Sequence, residues 1–271
     1  MHEKKKKGKV LFFVPHSDDL EFGASFAAIH YLRLGYEVIE ILMTNSQYGT
    51  SRKEFKGNRL ASIRKHELEK TLKIYQEYTR NALNVIRLGY VDGFLPFNKK
   101  SVKKVADIIR KKNPDIVFAP DPVYPLDFHY DHLNTGKNLF CALKELEKGE
   151  LPKEVFFYYS FRNNYMIAIM PSDVRLSSLA LSQHRSQVIA FNLKIYMFYK
   201  RIQIFINLIR CHQSGVRYRR LKIENGEFKS YEPSKSIRSR IKYVFFNKVM
   251  HNYKEKTYNP HPEELGLKNP D

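Results

Sequence analysis

The sequence has little that could hold it together covalently or anchor it in a bilayer. Two cysteines, Cys141 and Cys211, are too few for a disulfide framework and are not spaced as a metal pair, so a reducing, cytoplasmic setting fits. No run reaches the roughly 18 apolar residues of a membrane-spanning helix. The lysine-rich start, Met1 to Lys9, leads into the apolar stretch Val10 to Val14, which stops at Pro15. That is too short for the apolar region of a secretory leader, so no export signal is expected. No internal repeat is found, nor a low-complexity segment beyond those lysines. Acidic residues are scarce: 28 Asp/Glu face 47 Lys/Arg, a net charge of +19. Arg175 to Asp271 alone holds 19 Lys/Arg against 7 Asp/Glu, an excess of +12. Such a surface attracts phosphorylated substrates, anionic lipid headgroups or nucleic acid, and it also serves plain solubility. Reading nucleic acid would need a recognition motif besides charge; none is found, and nucleic acid is not expected as a partner.

What is present is material for a core. Hydrophobic residues make up 43% of the 271 residues, which excludes a disordered chain and suits one large domain or a domain with an appendage. Lys9 to Val14 reads as a buried parallel strand. After it the pattern alternates: helix Phe22 to Leu34, strand Tyr36 to Thr44, helix Arg59 to Tyr75, strand Asn84 to Leu88. Helix Lys100 to Lys112, strand Asp115 to Ala119, helix His132 to Leu146 and strand Glu154 to Ser160 follow. This predicts an α/β fold, a Rossmann-like, mostly parallel sheet with helices on both faces. Functional residues of such folds gather at the carboxyl ends of strands. From Ser172 to about Ile209 one long helical stretch, broken at most once, is expected. Val216 to Ile223 and Gly226 to Tyr231 suggest a hairpin around Asn225-Gly226, and Ser236 to Val249 a basic helix. The division expected is residues 1–190 as the main domain and 191–271 as a basic, aromatic helical and hairpin C-terminal extension packed on it.

Two clusters carry chemistry. Pro15-His16-Ser17-Asp18-Asp19-Leu20-Glu21 follows the first strand, and His129-Tyr130-Asp131-His132 lies just beyond the fourth. A hydrolytic zinc site needs three nitrogen or oxygen ligands, an open position for water and a base beside it. A turn carrying His-x-Asp-Asp can give an imidazole and a carboxylate to a metal and keep the adjacent carboxylate for proton transfer. A second loop can supply one more histidine as ligand and keep another facing the substrate. Either cluster alone also reads as an Asp-rich helix cap or a polar loop. Their joint appearance at two strand ends is harder to dismiss.

The clusters resemble the His-Pro-Asp-Asp-x-Glu and His-Pro-Asp-His motifs of the LmbE-like, or PIG-L-like, zinc-dependent N-acetylglucosaminyl deacetylases. Met43-Thr44 with Gly49-Thr50, Arg64 to Glu67, Tyr90 to Gly93, and Leu179 to Gln187 are similar to further segments of that family, in the same order, over residues 9 to 190. Ser17 and Tyr130 stand where the family has proline, which touches loop rigidity rather than ligation. The resemblance implies that His16, Asp19 and His132 bind Zn²⁺, although two histidines and an aspartate also suit Fe²⁺. It implies Asp18 as general base toward the attacking water and then the leaving amine, and His129, oriented by Asp131, as oxyanion stabiliser or acid. Arg64 would grip a substrate hydroxyl or phosphate, unless it is tied in an ion pair. Asp92 would take sugar hydroxyls, unless it serves its turn, and Asn45 and Tyr130 would line the pocket. Glu21 would orient the first loop through hydrogen bonds, and His184 would be structural or line the substrate site.

The expectation is therefore a hydrolase that removes acetyl from an N-acetylated amino sugar in a larger conjugate, with or without a phosphate. Its rivals are an amidase on another amide, such as a thiol conjugate, and a non-enzymatic basic protein binding anionic lipid or nucleic acid. Asp18 separates the last from the others, because a structural metal site has no use for a spare carboxylate. The aromatic stretch Ile189 to Arg210 reads as a helix packed on the sheet or in a subunit contact of a homo-oligomer, or as an interfacial helix on an anionic membrane.

Overall fold

The computed structural model describes residues 7–50, 52–187, 190–211, 214–221, 223–224 and 227–228. Five parallel strands form the centre: β1 (Lys9–Val14), β2 (Glu37–Thr44), β3 (Leu83–Tyr90), β4 (Ile116–Pro120) and β5 (Glu154–Tyr158). Two further strands, β6 (Tyr165–Ala168) and β7 (Gly215–Leu221), complete a seven-stranded sheet in the order β3-β2-β1-β4-β5-β7-β6. β1 is apolar from Val10 to Val14 because both its faces are covered. Val10, Phe12 and Val14 enter one core and Leu11 and Phe13 the other.

Helices α1 (Ser25–Arg33) and α2 (Asn58–Thr79) close the first core, together with α5 (Pro171–Leu181). α3 (Lys99–Lys112) and α4 (Tyr130–Lys144) close the second. Their boundaries have local causes. The Asn98 side chain accepts a hydrogen bond from Ser101 N at 2.9 Å to start α3, and Asn113 ends it in a left-handed conformation. α2 buries Leu60, Arg64, Glu67, Leu68, Thr71 and Tyr75 along one face, so its Arg and Glu point inward, one turn apart.

The last third departs from expectation. The long helical stretch, expected with at most one break, is α5 and α6 (Ala190–Cys211), with a turn through Ser182 to Gln187 after α5. The four-residue β6, too short for a visible alternation, precedes it. Among the described residues β7 pairs antiparallel with β5 and β6, between which it lies. The short antiparallel pair β8 (Ile223–Glu224) and β9 (Glu227–Phe228) follows. Asn225-Gly226, the expected helix Ser236 to Val249 and the tail lie outside the described residues. Among the described residues no helix is long and apolar enough to cross a membrane.

Strand order reverses between β1 and β4, with β2 and β3 to one side and β5 to the other. Loops leaving the carboxyl ends of two such strands diverge and open a crevice. The two chemical clusters follow exactly these two strands.

Candidate metal centre and active site

Each loop is fixed before it reaches the crevice. Beyond β1, the Pro15 carbonyl accepts hydrogen bonds from Thr44 N (3.1 Å) and Thr44 Oγ1 (2.8 Å), and Ser17 N donates to Ser46 Oγ at 3.0 Å. Asp19 then opens a π-helical turn, Leu20–Ala24, that leads into α1. Beyond β4, buried Asp121 folds the chain back by accepting from Val123 N and Tyr124 N at 2.8 and 3.1 Å. His129 caps α4, its Nδ1 accepting from Asp131 N at 3.3 Å. Gly136 lets α4 lie against β4, since an added Cβ would strike the Pro120 carbonyl oxygen. His132, one turn earlier on α4, is thereby held over the end of β1.

His16, Asp19 and His132 converge. Asp19 Oδ2 lies 2.9 Å from His16 Nδ1 and 3.2 Å from His132 Nε2. Ligands of a tetrahedral ion at about 2.0–2.2 Å stand roughly 3.3 Å apart, close to both of these separations from Asp19. The far nitrogen of each imidazole meets a carboxylate. His16 Nε2 is 3.0 Å from Asp92 Oδ1 and 3.1 Å from Asp131 Oδ2, and His132 Nδ1 is 3.1 Å from Asp127 Oδ2. Metal-binding histidines are held and made more basic in this way. Ligating atoms of His16, His129 and His132 lie within 4.8 Å of one another, as do those of His16, Asp92 and Asp131. In the latter set the carboxylates are already committed to backbone amides. Asp131 accepts from Gly93 N (2.6 Å) and Leu95 N (3.0 Å), and Asp92 Oδ2 from Tyr48 N (2.8 Å) and Gly49 N (3.1 Å). The donor set of two imidazoles and one carboxylate fits a divalent cation.

The electrostatics point the same way. Burial works against the charged form of His132, but Asp19 and Asp127 beside it push its pKa up to about 9. His16 is likewise raised against burial by Asp131, Asp19 and Asp92. Burial opposes ionisation of Asp19, yet the charge of His132 and hydrogen bonds from both imidazoles hold its carboxyl well below the usual range. A group of buried carboxylates that raises two imidazoles is a site that attracts positive charge.

The centre opens into a cavity of about 410 Å³ that is also lined by Asp18, Phe22, Gly49, Arg64, Tyr159 and Gln187. Asp18 keeps its carboxylate free of hydrogen bonds among the described residues; its charged neighbour is Arg64 Nη1 at 4.0 Å. Arg64 is buried, donates from Nη2 to the Gly49 carbonyl at 3.3 Å, and leaves Nε without a partner. Glu67, one turn along α2, accepts from Ser186 N (2.7 Å) and Ser186 Oγ (2.6 Å), while Gln187 Nε2 donates to the Gly49 carbonyl at 2.9 Å. The Arg64/Glu67 pair thus ties two cavity walls to one helix. Behind the first loop, fully buried Glu21 accepts from Tyr75 OH (2.9 Å) and meets His184 Nε2 at 3.1 Å.

Three expectations meet a different geometry. The Asp131 carboxylate does not touch His129; it faces His16 and the Gly93–Leu95 backbone, because α4 begins at His129 and turns the next side chain under the first loop. Asp92 lines the cavity with both oxygens engaged, so its carboxylate serves His16 and the Tyr48–Gly49 turn. Asn45 and Tyr130 do not reach the cavity. Asn45 is exposed and donates to the Gly89 carbonyl at 3.4 Å, and Tyr130 projects outward from the first turn of α4. Two cavity residues, Asp127 and Tyr159, had no sequence signal beyond following strand ends. Tyr159 stacks on His132 at 5.6 Å between ring centroids and holds a left-handed φ of +53°.

β7 does not present Arg219 and Arg220 as one basic face. Arg219 is buried in a two-pronged ion pair with Asp121, with Nη2 to Oδ1 at 2.7 Å, whereas Arg220 pairs with Glu154. Alternation along a strand sends these neighbours to opposite sides. Lys222, Arg238, Arg240 and Lys242 lie outside the described residues.

Fold and site together define a Rossmann-like α/β protein with a cluster of His and Asp side chains, able to hold a cation, at the topological switch point of its sheet. Residues 11–143 match the family model described as PIG-L, GlcNAc-PI de-N-acetylase. A diacetylchitobiose deacetylase of Thermococcus kodakarensis is 31% identical over 193 residues, covering 66% of this chain and 70% of the relative. The structure of N,N'-diacetylchitobiose deacetylase from Pyrococcus horikoshii superposes with a TM-score of 0.69 at 26% identity, over 81% of this chain and 84% of that one. A 4-carboxy-2-hydroxymuconate hydratase from Pseudomonas putida shares the fold at 15% identity and a TM-score of 0.63, over 85% of this chain and 99% of its own. The chain belongs to the PIG-L family, and its deacetylase relatives make it a hydrolytic N-deacetylase.

Proposed function

We propose that this enzyme removes the acetyl group from an N-acetylated amino sugar of the N-acetylglucosamine type, carried in a larger conjugate, with Zn²⁺ held by His16, Asp19 and His132. The observation that carries the reading is the meeting of both imidazoles on Asp19 Oδ2, at 2.9 and 3.2 Å, with a carboxylate behind each ring. When bound, the cation supplies Lewis acidity toward a water and an amide carbonyl.

The chain's own groups divide the remaining work. Asp18, uncommitted and on the cavity wall, is the general base that takes the proton of the attacking water and returns it to the departing amine. His129 Nδ1 accepts a backbone hydrogen bond, which leaves the neutral ring with its proton on Nε2. From there it can donate to the developing oxyanion without first becoming an imidazolium. Asp92 and Asp131 fix the ring of His16, and Asp127 that of His132. Arg64 is placed to meet a sugar hydroxyl and to restrain Asp18. Glu21 and His184 buttress the first loop from below.

The test is acetate release from N,N'-diacetylchitobiose and from N-acetylglucosamine conjugates, with enzyme stripped by chelator and reloaded with Zn²⁺ or Fe²⁺. Turnover that returns with Zn²⁺ on an acetylated sugar supports the reading. Metal-loaded enzyme that is inert on every acetylated sugar but cleaves a thiol-conjugate amide would replace the substrate.

A further inference from the structure

Helix α6 carries a feature that catalysis does not use. Ile195, Phe198, Ile202, Phe205 and Ile209 are all exposed, Phe198 at 65% and Phe205 at 61%, at alternating spacings of three and four. On a helix that spacing makes one straight apolar stripe. Met197 and Lys200 are buried and Tyr196 and Ile204 half-buried, so the opposite side of the helix packs inward. An apolar groove of about 230 Å³, walled by Phe205, Leu208 and Met170, adjoins the stripe. A larger one of about 690 Å³, lined by Arg175, Arg201, Ser178 and Ser182, shares Arg201 with it.

We propose that this face docks the enzyme on an anionic phospholipid surface, with the α6 stripe among the acyl chains and Arg201 and Arg175 at the headgroup phosphates. Charge decides between a bilayer and a second copy of the chain. The α6 sequence contains Lys194, Lys200, Arg201 and Arg210 and no acidic residue. In a seam built on the stripe, Lys194 and Arg201 occupy the flanking positions, where paired helices need opposite charges; a self-pair would find none. An apolar face flanked by cations is instead complementary to anionic lipid. With no helix among the described residues able to span a bilayer, the contact is peripheral. Tyr196 OH donates to the Phe22 carbonyl, and Phe22 lines the catalytic cavity, so the docking helix is fastened to the cavity wall.

The experiment is co-sedimentation of the full chain with phosphatidylcholine vesicles, with and without phosphatidylglycerol. It compares the wild type with Phe198→Ser/Phe205→Ser and with Arg175→Gln/Arg201→Gln. The wild type should sediment with the anionic vesicles and remain in solution with the neutral ones. Both variants should partition at least about tenfold more weakly, with unchanged melting temperature and unchanged acetate release from a water-soluble sugar. Equal sedimentation of wild type and Phe variant overturns the proposal. So does a smaller particle by light scattering for the Phe variant in lipid-free buffer, which would assign the stripe to a second copy. A marked fall in the Phe variant's melting temperature would assign it to another segment of this chain and overturns it too. Sedimentation, particle size and melting temperature do not depend on the catalytic assignment.

Discussion

Replacing Asp131 by Asn removes a full negative charge from beneath the candidate metal site and leaves the shape nearly unchanged. The fully buried carboxylate serves three donors: Oδ2 faces Gly93 N (2.6 Å) and His16 Nε2 (3.1 Å), and Oδ1 faces Leu95 N (3.0 Å). Asn has one acceptor oxygen. Turned to keep Gly93 and His16, it sets its NH₂ against the Leu95 amide, donor to donor; turned the other way, it faces two donors with two. One buried amide is stranded in either case, at a cost of about 1–3 kcal/mol. For a domain of this size that lowers the melting temperature by about 2–4 °C per kcal/mol. His16 also loses the charged acceptor that, when a cation is bound, would hold its proton on Nε2 and leave Nδ1 for the cation. Loss of such an orienting carboxylate lowers metal affinity by about 10–100-fold. Thermal melting of metal-free protein reads the first effect, and zinc competition against a calibrated chelator reads the second. Destabilised protein with unchanged zinc affinity would show that Asp131 holds only the Gly93–Leu95 turn, and would refute the orienting role.

Asp18→Asn should keep its zinc by elemental analysis and lose about 10²–10⁴-fold in kcat, with little change in KM; near-normal turnover would remove the base. His129→Gln should retain more kcat than His129→Ala, since glutamine can donate as the neutral imidazole does; equal losses would favour an acid role for the imidazolium. Gly49→Ala places a methyl 2.7 Å from Arg64 Nη2, so it should raise KM for the sugar while leaving zinc content intact, as measured by steady-state kinetics. Burial pulls the Lys200 pKa down to about 8. The folded chain then holds that proton less readily than the unfolded one, a penalty complete below about 8 and gone above the ordinary 10.5. Lys200→Met should therefore stabilise the chain at pH 7, by denaturant midpoint, and the gain should shrink by pH 10.5.

The centre was legible in sequence because its parts are local. His16 and Asp19 share one turn, His129 and His132 one loop and helix start, and the adjacency of β1 and β4 follows from the βαβ pattern. The partners behind the ligands were not legible in the same way. Asp127 is one carboxylate in a loop without periodicity, and whether Asp131 faces His129 or His16 depends on where α4 begins. Asp92 was visible as a turn residue and as a site residue; the structure makes both true, with a different partner. Asn45 failed because its neighbour across the strand ends, Gly89, offered a nearer carbonyl than the cavity. In the last third, β7 alternates well enough to read as a strand. Its partners, β5 and the short edge strand β6, are set by tertiary packing, which the tempting Asn-Gly turn downstream concealed.

The distribution of charge constrains the substrate further than the net value does. A chain carrying +19 lines its cavity with Asp18, Asp19, Asp92 and Asp127 and sets Arg64 against them. At separations of a few ångströms in a partly buried setting, like charges repel by several kcal/mol at an effective dielectric near 20, so a phosphate on the cavity floor would meet these carboxylates unless the cation offset them. The neutral acetamido group belongs at the floor, and any anionic portion of the conjugate belongs at the mouth or beyond. Excess positive charge elsewhere can reach such a group across about 8–10 Å at physiological salt. With Arg219 and Arg220 spent on Asp121 and Glu154, that charge is not supplied by β7. On the proposed function, an acidic cavity favours conjugates in which any anionic group stands well away from the acetamide.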